Sequence, residues 1–149
     1  MPTPFVFLLR VRYGECDAQQ VVFNARYGDY ADVAVTEFFR VLFGGVQGLL
    51  AQNLDTQVVR MVVDWQAPAR FDDVLALHVQ TLRVGNTSFQ IGMQIENFAS
   101  KTAIADVDLT YVLVSADAHT KVSVPETLRQ QLLAGAPGQV INQSGLPVA

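Results

Sequence analysis

The sequence predicts an α+β fold, a five-stranded antiparallel sheet wrapped around one long central helix. Three observations lead there. A single stretch, residues 24–44, carries apolar residues at helical spacing; four long runs between Gln57 and Ser115 alternate apolar with polar residues; and the connections between those runs are short. A helix with an apolar face needs a sheet to bury it, and five strands around one helix close such a core economically.

Each element has its own justification. Residues 5–13 are rich in β-branched and aromatic side chains and stop at Gly14, which makes them the first strand. The apolar segment within it, residues 5–9, is too short for a signal-peptide core or a membrane span and is followed by Arg10 and Arg12. The expected setting is therefore cytoplasmic, with no membrane span. After the polar stretch that ends at Gln20 and the apolar Val21-Val22-Phe23, Asn24 is expected to cap the helix. Tyr27, Tyr30, Ala31, Ala34, Phe38, Val41 and Leu42 then share one buried face, and Gly44-Gly45 ends the helix in the left-handed conformation.

The alternating runs are residues 57–69, 72–84, 87–98 and 102–115, expected to follow one another as an antiparallel meander. Val59, Met61, Val63 and Trp65 point inward from the first of them, Leu75, Leu77, Val79 and Thr81 from the second. Pro125 opens a short second helix that runs to about Leu133. The expected organisation is a single domain over residues 1–134, followed by a tail, residues 135–149, with little periodicity.

Composition narrows the function classes. A chain of 149 residues that is 50% hydrophobic and 16% charged has enough apolar surface for one core and is too apolar for a disordered protein. A net charge of -4, with ten basic residues scattered along the chain, provides no basic patch for a nucleic acid. The single cysteine, Cys16, rules out an internal disulfide, and two separated histidines with one cysteine make no metal-site spacing, so neither metal nor cofactor is expected.

The densest polar cluster lies just ahead of the long helix, between Tyr13 and Asn24. A carboxylate there stands close to the unpaired backbone N–H groups of the first helical turn, whose partial positive charge suits a developing oxyanion. That pairing can hydrolyse a reactive ester, although acidic residues before helices also serve as caps and turn formers.

The segment Tyr13-Gly-Glu-Cys-Asp-Ala-Gln-Gln-Val-Val-Phe-Asn-Ala-Arg-Tyr27, with Thr36-Glu37-Phe38 on the helix, resembles the signature of hotdog-fold acyl-CoA thioesterases of the 4-hydroxybenzoyl-CoA thioesterase family. Val59-Arg60-Met61, Ala67-Pro68-Ala69-Arg70-Phe71-Asp72-Asp73, Gly85-Asn86-Thr87-Ser88-Phe89 and Val124-Pro125 follow in the family's order and spacing, so the likeness covers roughly residues 5–133. It is closest to the branch associated with the bacterial Tol-Pal system.

The resemblance implies a hotdog fold and hydrolysis of an acyl-CoA to a carboxylic acid and free CoA, with CoA as part of the substrate. It makes Asp17 the catalytic carboxylate, as nucleophile or as general base, and assigns polarisation of the thioester carbonyl to the backbone N–H of Asn24 or a neighbour. Gln19, Gln20, Val22, Phe23 and Tyr27 would line the acyl slot. Asn86, Thr87 and Ser88, with Arg83 as the nearest cation and Arg60 and Arg70 as further ones, would meet the CoA moiety. Two departures stand out: Gln19-Gln20 replaces glycines common in relatives, and Asn24 replaces a histidine or aromatic residue. The family also implies a homodimer built through the sheets, often doubled to a tetramer, with the site between subunits.

Other polar residues fit plainer roles. Glu37 is expected to hydrogen-bond within the subunit, Cys16 lacks a neighbouring histidine to activate it, His78 lies opposite the leucine face, His119 falls in a turn, and Trp65 is expected to pack. A hotdog dehydratase would need a histidine where Asn24 stands. A non-catalytic acyl-CoA or acyl-carrier binding module is the remaining alternative.

Overall fold

The long helix is present as α1 (Arg26–Phe43), and the face expected from its spacing is the buried one: Tyr27, Tyr30, Ala31, Ala34 and Phe38 are all in the core, joined by Val35 and Phe39. The structure is a computed structural model that describes residues 4–147. Its other elements, in chain order, are β1 (Phe5–Arg10), ahead of α1, and then α2 (Gly45–Leu50), β2 (Leu54–Trp65), β3 (Val74–Val84), β4 (Ser88–Asn97), β5 (Ala103–Ser115), α3 (Glu126–Ala134) and β6 (Val140–Asn142).

Inward residues of the sheet meet α1 as an aromatic and aliphatic layer. Phe5 lies 5.4 Å from Phe38, while Phe39 meets Phe89 at 5.9 Å and Tyr111 at 5.5 Å, between ring centroids. Leu75, Leu77, Ile91, Ile95 and Leu109 complete the layer. The alternation that marked these strands in the sequence is thus the division between the helix side and the outer side of one sheet.

Four expectations need correction. The sheet has six strands and is mixed, because β6 from the tail pairs in parallel with β1. Its order, β2-β5-β4-β3-β1-β6, is a meander only from β3 to β5. β2 pairs with β5, from Leu54 opposite Ser115 to Trp65 opposite Ala105, and so forms an edge. The eight-residue connection 66–73 allows this: at about 3.3 Å per residue it easily crosses three strand spacings, roughly 14 Å, at the end of the sheet.

The helix boundaries differ as well. Ala25, not Asn24, is the N-cap of α1; its methyl group can make no cap bond, and the chain enters through a turn in which Arg26 N–H donates to the Phe23 carbonyl (2.9 Å). After the expected stop at Gly44 (φ 82°), a further turn of helix, α2, packs back so closely that Gly48 lies against the Phe43 carbonyl, where a Cβ would collide. Finally, a bulge between Val58 and Arg60 changes the facing of β2: Val58 opposes the inward Tyr111, and Val59 is the extra residue.

Among the described residues no helix is long and apolar enough to cross a membrane.

Candidate active site

The segment before α1 folds back on itself as a small hairpin. After the 3-10 turn Tyr13–Glu15, Cys16 bridges to Val22, Asp17 N–H donates to the Val21 carbonyl (2.9 Å) and Gln20 N–H to the Asp17 carbonyl (2.9 Å). Asp17 Oδ1 accepts the Gln19 N–H at 2.8 Å, the local side-chain turn that aspartate favours. On the sheet side the hairpin is held by Val22 N–H on the Ala69 carbonyl (2.8 Å) and by a bridge from Val21 to Arg70.

Gln20 sits at φ 65°, in the left-handed region that glycine occupies freely. The tight turn expected of a glycine is therefore kept with a glutamine, at a conformational cost of order 1 kcal/mol. Gln20→Gly is expected to stabilise the chain by up to about 1 kcal/mol, since the glycine's unfolded-state entropy offsets part of the relief. Thermal unfolding checks this, and a lower Tm in the variant refutes it.

Two depressions flank the Val21-Val22 segment. One, of about 410 Å³, is lined by Tyr13, Cys16, Asp17, Gln20, Arg70 and Phe71. Its rim is aromatic and open, with Tyr13 81% exposed and set edge-on to the 54% exposed Phe71 at 5.8 Å. Among the described residues Arg70 forms no ion pair, so its charge is available to that cavity. The other, of about 320 Å³, is lined by Val21, Val22, Asn24, Tyr27, Trp65, Gln66, Ala67 and Pro68. Here Trp65, expected to pack, is 52% exposed and stands edge-on to Tyr27 at 6.0 Å, because β2 is an edge strand with nothing beyond it in this chain. Among the described residues the Asn24 amide donates to no protein acceptor, so its N–H remains available at the entrance of α1.

Glu15 ties the hairpin to the helix. Its Oε1 accepts the Arg12 N–H (2.7 Å) and the Tyr30 hydroxyl (2.9 Å), and its Oε2 accepts Arg12 Nε (3.1 Å) and Nη2 (3.0 Å). Burial opposes ionisation of this carboxyl, but the bonds from the Arg12 amide, the Tyr30 hydroxyl and the Arg12 guanidinium outweigh it and hold the group below its ordinary value of 4.5. Burial, with Glu15 as its acceptor, raises the Tyr30 phenol, which stays a donor. A carboxyl lowered on folding contributes stability that is fully present above its unfolded pKa and is lost as pH falls through the lower folded one. Thermal stability is thus expected to decline as pH drops below about 4.5, and to decline less steeply in Glu15→Gln. Parallel declines for the two proteins refute the assignment.

The residues singled out in the sequence separate into four groups. Asp17 and Gln20 share the first cavity, while Val22, Asn24 and Tyr27 line the second, Val22 and Tyr27 as the exposed edges of core side chains. Gln19 and Phe23 are exposed and line neither cavity. Arg83, Asn86, Thr87 and Ser88 are at the β3–β4 hairpin, whose turn is closed by Gly85 N–H on the Ser88 carbonyl (2.7 Å) and anchored by Arg129 on the Val84 and Gly85 carbonyls. β3 starts beside the Asp17 cavity and reaches that hairpin ten residues later, a separation of roughly 30 Å at strand rise, so one chain does not unite the two groups.

The remaining polar candidates behave as expected. Glu37 bonds Arg40 (2.9 Å) and Gln143 (3.2 Å) within the chain, His78 pairs with Glu96 (3.0 Å), and His119 lies in the turn after β5. The sequence reading passed over Glu15, Tyr13, Phe71 and the site role of Trp65. Only the acidic character of Glu15 was a local signal; the rest became visible through the 66–73 connection, which brings its residues beside both cavities.

A sheet covering one long helix, entered through a short hairpin, is the architecture of a hotdog-type fold, and the relatives of the chain make it a thioester hydrolase. The chain belongs to the thioesterase-like superfamily, whose model matches residues 11–132. It is 32% identical over 112 residues to the acyl-CoA thioester hydrolase YbgC of Escherichia coli, covering 75% of this chain and 83% of that one. Solved structures share the fold: a thioesterase-superfamily protein from Jannaschia sp. (TM-score 0.82, 22% identity, 91% of this chain and 95% of that one) and a 1,4-dihydroxy-2-naphthoyl-CoA thioesterase from Synechocystis (TM-score 0.77, 16% identity, 86% and 94%).

Proposed function

We propose that this protein hydrolyses an acyl-CoA to a carboxylic acid and free CoA, with Asp17 as nucleophile or general base and the Asn24 amide polarising the thioester carbonyl. The observation that carries the reading is the free Asn24 N–H just ahead of α1 together with, across the Val21-Val22 segment, an Asp17 carboxylate that has no ion-pair partner among the described residues. The similarity to YbgC supports the acyl-CoA as substrate. A thioester suits such modest machinery, since its carbonyl is weakly resonance-stabilised and the thiolate leaves readily. Water adds to the acyl carbon, the C–S bond breaks, and the thiolate leaves with a proton.

The working unit in this reading is a homodimer joined along β2, itself able to double to a tetramer. β2 is an open edge carrying exposed Val58, Val59, Met61 and Trp65, a surface that a lone domain has reason to cover. Two β2 strands paired antiparallel about a two-fold axis would set the Leu54 end of one beside the Trp65 end of the other. Since the Leu54 end lies with the β3–β4 hairpin and the Trp65 end with Asp17, this arrangement would carry one subunit's Asn86, Thr87 and Ser88 toward the other subunit's Asp17. Thiol release from a panel of aromatic, short-chain and medium-chain acyl-CoAs tests the reading. Turnover of at least one is expected, whereas binding without turnover of any would make the chain an acyl-CoA binding module.

A further inference from the structure

Glu15 is bonded to both halves of the proposed site. Its side chain reaches Tyr30 on α1, its carbonyl accepts the Phe23 N–H (2.9 Å), and its own N–H donates to the Arg12 carbonyl (3.0 Å). Asp17 is two residues further along the chain and Asn24 directly follows Phe23. One residue therefore joins the end of β1, the arm that carries the carboxylate, and the entrance of the helix that carries the amide.

We infer that Glu15 is a positioning residue, holding the Asp17 hairpin against α1 so that carboxylate and Asn24 amide keep one spacing; this rests on the thioester-hydrolase reading. The hairpin closes on itself through Cys16–Val22 and Asp17–Val21, so it moves as a unit on its attachments. Ala69 and Arg70 secure it to the sheet side, and Glu15 secures it to the helix side.

Two features separate this from an ordinary surface ion pair. The Arg12 side chain is 83% exposed, and a pair with it alone would add little, but the Glu15 side chain is only 12% exposed. Tyr30 is a core residue whose hydroxyl has Glu15 as its only acceptor among the described residues. A buried hydroxyl gives up its partner reluctantly, so the bond fixes where the hairpin docks. Misplacement of a reacting group by about 1 Å can cost up to about 10²-fold in rate, although no contact with substrate is lost.

Replacing Glu15 by Gln leaves size unchanged but sets an amide N–H₂ against donors, since both carboxylate oxygens are already acceptors. Tyr30→Phe removes one oxygen and provides a second route if Glu15→Gln folds poorly. In each folded variant kcat for thiol release is expected to fall by about 10-fold or more while KM stays within about twofold. Amide hydrogen exchange is expected to quicken across residues 15–24 but not in β3 or β4. Wild-type kcat in both folded variants overturns the inference, as does a rise in KM at unchanged kcat, or exchange unaltered in the hairpin. Failure of the underlying reading shows elsewhere, as a wild type inert toward every thioester or an Asp17→Asn variant with full activity.

Discussion

Asp17→Asn is expected to lower thiol release from a hydrolysable acyl-CoA by at least about 10²-fold, the low end for a positioned acid–base group and a conservative figure for a nucleophile. The substitution is nearly isosteric and retains an oxygen to accept the Gln19 N–H, so the hairpin turn survives. It removes the negative charge that in the proposed mechanism either attacks the carbonyl or draws a proton from water, and both roles are lost together. KM should change little, because the carboxylate is asked to act on the reacting carbon and not to hold CoA. Steady-state assays on wild type and variant, with matching unfolding curves, test this; equal kcat values would remove Asp17 from the mechanism.

Val59→Lys is expected to dissociate the proposed dimer and, with it, to reduce kcat/KM by a comparable factor. Val59 is the extra residue of the β2 bulge and is 59% exposed in the single chain, so a lysine there costs the isolated fold little. In a two-fold β2–β2 pairing each lysine lies at an interface with its own copy, where like charges oppose association and their desolvation finds no partner. Sedimentation of wild type and variant, together with activity measured across protein concentration, provides the test. A wild-type monomer with full activity would dismiss the dimer, and an active dimeric variant would move the interface away from β2.

These two expectations differ in how much of their basis was legible beforehand. Asp17 stands in a local motif, and its relation to the helix entrance is set by a few intervening residues, so residue order nearly suffices. The open β2 edge was not legible. Of Val59, Met61, Val63 and Trp65, read as an inward face by simple alternation, the last three do oppose the inward Leu109, Val107 and Ala105, but the bulge after Val58 displaces Val59, and the place of β2 at the sheet margin leaves Met61 and Trp65 half exposed. Likewise the tail 135–149 has no period to read. Its segment Val140–Asn142 forms a strand because β1 presents a free edge, and Gln143 and Ser144 then find partners in the Leu8 carbonyl and Arg10.

The sequence by itself determined the elements whose cause is local: the apolar stripe of α1, the left-handed stop at Gly44, the alternation of four strands and the polar, acidic segment that carries Asp17 ahead of the helix. Periodicity and backbone preference act over a few residues, and those residues are adjacent in the chain. Tertiary structure alone decided which strand lies at the edge, that Arg70, Phe71 and Trp65 flank the hairpin, that Glu15 clasps Tyr30, and that the β3–β4 hairpin stands roughly 30 Å from Asp17 within one chain. Each depends on contacts between segments far apart in sequence. Their geometry follows from how one long helix is covered, for which the linear pattern has no coordinate.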